Sequence, residues 1–282
     1  MRCWRSGWFE LGVEFGLEGG VPKGAPPFAL RDLIALLERG AECMKGWIFG
    51  VGAALLAIAS PSLVRAEQVE PKPEVLLVET DPWAIVIGAD IPAFAMYDDG
   101  TVIYRDGDVY RTVRLTTQRR AEVLSVMRFS EKLTDYSGSD ATDQPTTSVL
   151  LVENGKISGA SVYGSLARDQ SRSAVPAKVV AAYDLLRKFS EPTATPWLPR
   201  TIEVMIWPYD YAPESSIQWP REWPGLKDSA TVKRGDSYSI FLPAEHFEEL
   251  KAFLGTRREK GAVEIGHKKW AVSWRLPFPG VQ

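Results

Sequence analysis

The strongest constraint on the fold is a pair of apolar runs interrupted by tight-turn residues. In residues 94–104, Asp98-Asp99-Gly100 separates two apolar and aromatic arms. Asp-Gly supplies the positive φ angles of a short turn with little strain. A second signal, Glu153-Asn154-Gly155, separates the apolar runs 146–152 and 156–163. Both patterns predict β-hairpins, and hairpin-rich chains form antiparallel sheets.

Apolar residues at helical spacing follow three of the predicted strands. The first such segment follows Thr116 or Thr117, either of which can cap a helix. The second follows Pro176 and the third follows Pro243. Their inward positions are Ala121, Leu124, Met127 and Phe129 to Leu133, then Val179, Ala182, Tyr183, Leu186 and Phe189, then Phe247, Leu250 and Phe253. The sequence therefore predicts an α+β fold, with antiparallel β-sheets built from hairpins and about three helices packed on one face.

The order of predicted elements is similar in two halves of the chain, residues 67–190 and 201–282. A Pro-rich link at 191–200 separates them, and we expect the halves to pack together. In each half, a strand, a helix and a hairpin follow one another. This order indicates a β-α-β-β unit used twice, with a chance coincidence of hairpins and helices as the alternative.

The N-terminal region predicts export. Met44-Lys45 precedes a run without charges that reaches Val64, and Val64 and Ala66 occupy the small-residue positions that a signal peptidase recognises. Residues 44–66 therefore predict a cleaved signal peptide and a periplasmic or secreted protein. An uncleaved membrane anchor is the alternative. Residues 1–43 then belong to a start called too early or to a disordered extension.

Composition excludes several classes of function. A net charge of −3 among 282 residues gives no basis for a nucleic-acid partner. Both cysteines, Cys3 and Cys43, precede the predicted cleavage site, so the mature domain would be cysteine-free. No phosphate-binding loop is present, and we expect no cofactor and no metal.

Few residues suggest catalysis. The two histidines, His246 and His267, lack the spacing of a zinc site and are expected to be solvated. Paired carboxylates are the remaining option: Glu245 with Glu248, or Asp140 with Asp143. A hydrolase would need two such acids to converge in a cleft, one with a raised pKa. The acidic loop 135–143 also offers oxygen ligands for calcium, although polar loops of this kind are mostly solvated turns.

Trp219 and Trp223 are the candidate ligand-binding residues. They lie in a predicted irregular Pro-rich loop, where two rigid indoles could form an apolar surface for a sugar ring or a peptide. The alternative is that both indoles pack down and anchor the loop. A binding surface requires the two side chains to be exposed.

Three segments resemble exported bacterial proteins known only as domains of unknown function. They are Asp-Gly-Thr-Val-Ile-Tyr within 94–106, Ala-Thr-Asp-Gln-Pro-Thr-Thr at 141–147 and Val162-Tyr163-Gly164. The resemblance covers mainly residues 90–190. It implies an envelope or secreted location and brings no activity.

These observations favour an exported, non-catalytic binding or interaction module. Its expected partner is a glycan or an envelope protein. The alternatives are an envelope hydrolase that uses paired carboxylates, and a structural or inhibitory envelope protein whose flat sheet face meets another protein.

Overall fold

The structure, a computed structural model, describes residues 71–84 and 90–281. The predicted extension 1–43 and signal peptide 44–66 lie outside these residues. Most of the described chain forms two β-sheets, and four helices accompany them. The protein is therefore of the α+β class, as the sequence predicts.

The first sheet has eight strands in the order β5-β7-β6-β1-β2-β3-β4-β8. Neighbouring strands are antiparallel, except that β5 and β7 are parallel. The predicted hairpins β2–β3 and β6–β7 are confirmed, with Asn154 and Gly155 at positive φ in the second turn. The strands are β1 (Pro73–Thr80), β2 (Phe94–Tyr97), β3 (Thr101–Asp106), β4 (Val109–Arg114), β5 (Leu133–Ser137), β6 (Thr146–Glu153), β7 (Lys156–Tyr163) and β8 (Thr195–Pro196).

Two helices cover one face of this sheet. They are α1 (Thr117–Met127) and α3 (Ala177–Arg187), and a short helix α2 (Asp169–Ser173) precedes α3. The Thr116 side chain accepts a hydrogen bond from the Arg119 amide and caps α1. Alternate residues of the strands meet the apolar sides of α1 and α3 in one core, which includes Leu77, Phe94, Val149, Met127 and Leu186.

The second sheet has six strands in the order β10-β13-β14-β9-β12-β11. Helix α4 (Phe247–Gly255) covers one face, and its Leu250 packs against Val204 and Ile240. All neighbours are antiparallel except the parallel pair β10 and β13. The strands are β9 (Thr201–Pro208), β10 (Glu214–Gln218), β11 (Thr231–Arg234), β12 (Ser237–Pro243), β13 (Gly261–Ile265) and β14 (Lys268–Arg275).

Several sequence predictions need correction. Strand β5 overlaps the loop predicted over 134–144, and β10 lies within the irregular loop predicted over 209–228. The first helix ends at Met127, before the predicted inward positions 129–133. Strands β5 and β10 are short edge strands without a fully buried side chain, so no apolar alternation marks them. Each pairs in parallel with a strand distant in sequence, so the sheets are mixed. The Pro-rich link also contributes β8, which pairs with β4.

A cluster of three aromatic rings joins the two sheets. Tyr110 of β4, Trp197 of the link and Phe278 beyond β14 meet edge to face, with ring centroids 4.9 to 6.2 Å apart. The Trp197 amide also donates to the Tyr110 carbonyl oxygen at 2.8 Å. Because Phe278 is only 1% exposed, the end of the chain is fixed against the first sheet.

Substitution of Gly159 tests the register of the first sheet. Gly159 has φ +128°, and a Cβ there would overlap the Val149 carbonyl oxygen of β6. We expect Gly159→Ala to lower the free energy of unfolding by about 3 kcal/mol or more, because it combines backbone strain with an overlap. Gly107→Ala is the control: its φ is +62°, with open space around the new methyl group. Urea unfolding should show a loss of only about 1 kcal/mol for this control, and equal losses would contradict the register.

Alkaline unfolding tests the burial of Tyr110. Burial raises the pKa of Tyr110 from 10.0 to about 12. The folded state therefore holds the phenol proton more tightly than the unfolded chain, and this stability is complete below pH 10 and lost as pH rises towards 12. We expect Tyr110→Phe to weaken the pH dependence of the unfolding free energy. Tyr211→Phe, at an 83% exposed position, should behave as the wild type.

Candidate functional site

The two predicted ligand-binding tryptophans are buried in the second core. Trp219 is 8% exposed and Trp223 is 7% exposed. Their rings contact each other at 5.0 Å between centroids, and both contact Phe253 of α4. The Trp219 indole N–H donates to the Pro224 carbonyl oxygen at 3.0 Å. This geometry favours the alternative, in which the indoles anchor the loop, because little of either ring can meet a ligand.

The carboxylates considered for a hydrolase do not converge in a cleft. Glu245 and Glu248 are each 80% exposed, and Glu248 pairs with Lys251 at 2.7 Å. Asp140 and Asp143 lie exposed in the loop after β5. His246 contacts Glu249 at 2.8 Å on the surface of α4. None of these groups has the buried surroundings that would tune an acid for catalysis.

Metal binding has no support in the described part of the chain. No group of three or more His, Cys, Asp or Glu side chains there could hold a metal ion. The loop 135–143 instead forms local hydrogen bonds, such as that from the Ala141 amide to the Ser139 hydroxyl.

Asp90 is a carboxyl group with a raised pKa, and its role is local. Burial is the largest cause, and the negative charge of Asp81 adds to it. Asp90 accepts a hydrogen bond from the Asp81 backbone N–H at 3.0 Å, and Asp81 in turn accepts one from the Trp83 N–H. These hydrogen bonds connect the residues that follow β1 to the residue at position 90, before β2. Both carboxylates therefore have a structural role.

The face of the second sheet opposite α4 carries exposed apolar side chains around a buried charge. Trp207 is 47% exposed and Val232 is 46% exposed. Glu203 lies on the same face, is 2% exposed and accepts hydrogen bonds from Arg275 at 2.7 Å and Ser239 at 2.6 Å. This network satisfies the buried carboxylate, so the centre of the face is polar and already paired.

A cleft of about 240 Å³ lies at one end of the second sheet, where β9 ends beside two hairpin turns. Its apolar wall consists of Pro208, Tyr238 and Trp270. The rings of Tyr238 and Trp270 meet edge to face at 5.5 Å, and the Trp270 indole N–H donates to the Ile265 carbonyl oxygen. The wall is therefore rigid, because each aromatic side chain is held by a neighbour.

Strand alternation brings lysines to both sides of this wall. Lys233 of β11 pairs with Tyr238 of β12, and Lys268 lies two residues before Trp270 on β14, so these side chains share one face of the sheet. Strands β12 and β9 lie between β11 and β14, so about 14 Å separates the two lysine-bearing backbones. Lys269 also lines the cleft, although strand alternation directs its side chain towards the face opposite Lys268.

Hairpin turns beside these lysines set their positions. Gly235-Asp236 joins β11 to β12, and Gly266-His267 joins β13 to β14. Gly266 and His267 both have positive φ, as two-residue hairpin turns of this kind require. Each turn thus ends its hairpin at the same end of the sheet, beside the cleft.

Charges around the cleft are not paired with one another. Lys233, Lys268 and Lys269 line it together with Asp210 and Asp236. Within the described residues, none of these five groups forms an ion pair within 4.0 Å, although the Lys233 ammonium lies 6.0 Å from the Tyr238 ring centroid. The cleft therefore presents cations, hydrogen-bond acceptors and an aromatic wall that a polar ligand could contact.

Sequence analysis missed this cleft because its residues come from four strands. The sequence indicates only one part of it, the Lys268-Lys269 pair beside His267, which predicts a basic hairpin tip. Tyr238 and Trp270 are separated by 31 positions in sequence and become neighbours only through β9.

Comparison with known proteins provides no independent guide. No family model matches the chain, and neither curated proteins nor solved structures gave a match. In the ranges that the structure describes, no helix is long and apolar enough to cross a membrane.

Truncation of the buried tryptophans tests their anchoring role. We expect Trp223→Ala to lower the free energy of unfolding by about 3 to 5 kcal/mol, because it leaves a cavity against Phe253. The matched control is Trp83→Ala, at a position that is 72% exposed, with an expected change within about 0.5 kcal/mol. Thermal and urea unfolding measure both. A Trp223→Ala protein as stable as the control would contradict the anchoring role.

Proposed function

We propose that this protein is an exported, non-catalytic binding module whose ligand is a glycan of the bacterial envelope. The observation that carries the proposal is the cleft of about 240 Å³ between Lys233 and Lys268. It combines an aromatic wall with charged groups that have no ion-pair partner among the described residues. Most of the lining residues are charged, so the cleft suits a ligand rich in hydroxyl groups better than an apolar one.

The chemistry of the cleft suits a sugar ring. The apolar face of a sugar can pack on Tyr238, while Asp210 and Asp236 can accept hydrogen bonds from its hydroxyl groups. The cleft is smaller than the roughly 300 to 1,000 Å³ of sites for drug-sized ligands. We therefore expect it to accept one sugar residue of a longer chain.

Export is supported by the sequence alone. The uncharged run after Met44-Lys45 is typical of a signal peptide, and the resemblance to exported bacterial proteins of unknown function agrees with it. A periplasmic or secreted location would expose the cleft to envelope polysaccharides.

The hydrolase alternative has weaker support. It requires an acid and a base on opposite sides of a bound sugar. Asp210 and Asp236 are the acids nearest to the cleft, and both are exposed. An exposed pair lacks the enclosed surroundings in which catalytic acids act. A binding role therefore accounts for the cleft with fewer requirements.

The alternative of a protein-binding sheet face rests on Trp207 and Val232. Their exposed side chains share a face with the paired Glu203 network, which offers no free charge to a partner.

A repeated β-α-β-β unit also stays a proposal. In the first half, β6 of the β6–β7 hairpin pairs with β1. In the second half, β14 of the β13–β14 hairpin pairs with β9, so the two hairpins join their sheets through different strands.

Titration with envelope saccharides tests the proposed function. We expect cleft resonances, such as that of the Trp270 indole N–H, to shift in ¹H–¹⁵N spectra. Tyr238→Ala should weaken binding about tenfold or more, because it removes the apolar wall on which the sugar packs. Tyr211→Ala, at an exposed position outside the cleft lining, should leave the affinity unchanged. Shifts confined to residues outside the cleft would contradict the proposal.

A further inference from the structure

We infer that the cleft at the end of the second sheet selects an acidic sugar residue, one that carries a carboxylate. This inference rests on the proposed glycan-binding function and specifies its ligand. It follows from the arrangement of charges around the aromatic wall.

Lysine residues line the cleft from two sides. Lys233 reaches the cleft from the β11–β12 hairpin, while Lys268 and Lys269 reach it from the β13–β14 hairpin. Like charges around one small space repel each other, and a bound anion relieves this repulsion. An anionic group in the cleft would therefore gain attraction from both hairpins.

The two aspartates restrict the kind of anion. Asp210 and Asp236 leave the five charged groups with a net charge of only +1. The cleft lining contains no arginine and no helix N-terminus, the groups that most often hold phosphate in proteins. A single carboxylate on a ring rich in hydroxyl groups thus agrees best with the lining.

Two classes of envelope sugar have this chemistry. Hexuronic acids carry the carboxylate on the ring, and muramic acids carry it on a lactyl ether. Each has a neutral counterpart with the same sugar ring: glucose has a hydroxymethyl group in place of the carboxylate of glucuronate, and N-acetylglucosamine has a hydroxyl group in place of the lactyl ether of N-acetylmuramate. A preference shared by both acidic sugars is therefore attributed to the carboxylate, because the two pairs differ in every other respect.

Paired sugars provide the experiment. Glucuronate is compared with glucose, and N-acetylmuramate with N-acetylglucosamine, in ¹H–¹⁵N titrations of the purified protein at low and high salt. We expect at least one acidic sugar to bind about tenfold more tightly than its neutral counterpart, which corresponds to ~1.4 kcal/mol. This preference should decrease as salt rises, because the charges lie at the surface. The two pairs distinguish the two sources of the carboxylate.

Lysine variants identify the groups that recognise the carboxylate. We expect the Lys233→Gln, Lys268→Gln double variant to lose the preference, so that it binds the acidic sugar about as weakly as the neutral one. The control is Lys156→Gln, an exposed lysine at a hairpin of the first sheet, which should keep the preference.

The outcomes separate this inference from the proposed function. Equal affinity for the acidic and neutral members of both pairs, at the cleft, would overturn the carboxylate inference and leave glycan binding intact. Absence of cleft shifts with all four sugars would overturn both. A preference that survives in the double variant would overturn the assignment of the lysines.

Discussion

The contact between Tyr110, Trp197 and Phe278 determines how the two sheets lie against each other. Each ring comes from a different part of the chain: a strand of the first sheet, the link and the segment after β14. Edge-to-face aromatic pairs contribute about 0.5 to 1.5 kcal/mol each beyond their burial. Because Phe278 follows β14 closely, this contact also restrains the strand that carries Trp270 and Lys268 into the cleft.

Local turn chemistry made much of the fold predictable. Asp99-Gly100, Asn154-Gly155 and Gly266-His267 each mark a two-strand hairpin, and the structure places a reversal at all three. These signals depend on residues adjacent in sequence, so one sequence is enough to identify them. The helices after Thr116, Pro176 and Pro243 were predictable for the same reason, since capping residues and apolar spacing are local.

Pairing between distant segments was not predictable. Strand β5 pairs with β7 in parallel across 26 positions, and none of its residues Leu133–Ser137 is fully buried. Strand β10 likewise acquires its register from β13. The burial of Trp219 and Trp223 was not predictable from the sequence either. Indoles in a Pro-rich loop suit a binding surface or a small core equally well, and only the position of Phe253 decides between them.

The cleft depends on strand order more than on any motif. Lys233 and Lys268 lie 35 positions apart in sequence, and they come to one face only because β12 and β9 lie between their strands. A crystal structure of the protein with N-acetylmuramate or glucuronate bound tests the account most directly. We expect the sugar ring against Tyr238, with its carboxylate within about 4 Å of the Lys233 or Lys268 ammonium group. A sugar bound at Trp207 on the opposite face, or a carboxylate directed away from both lysines, would contradict it.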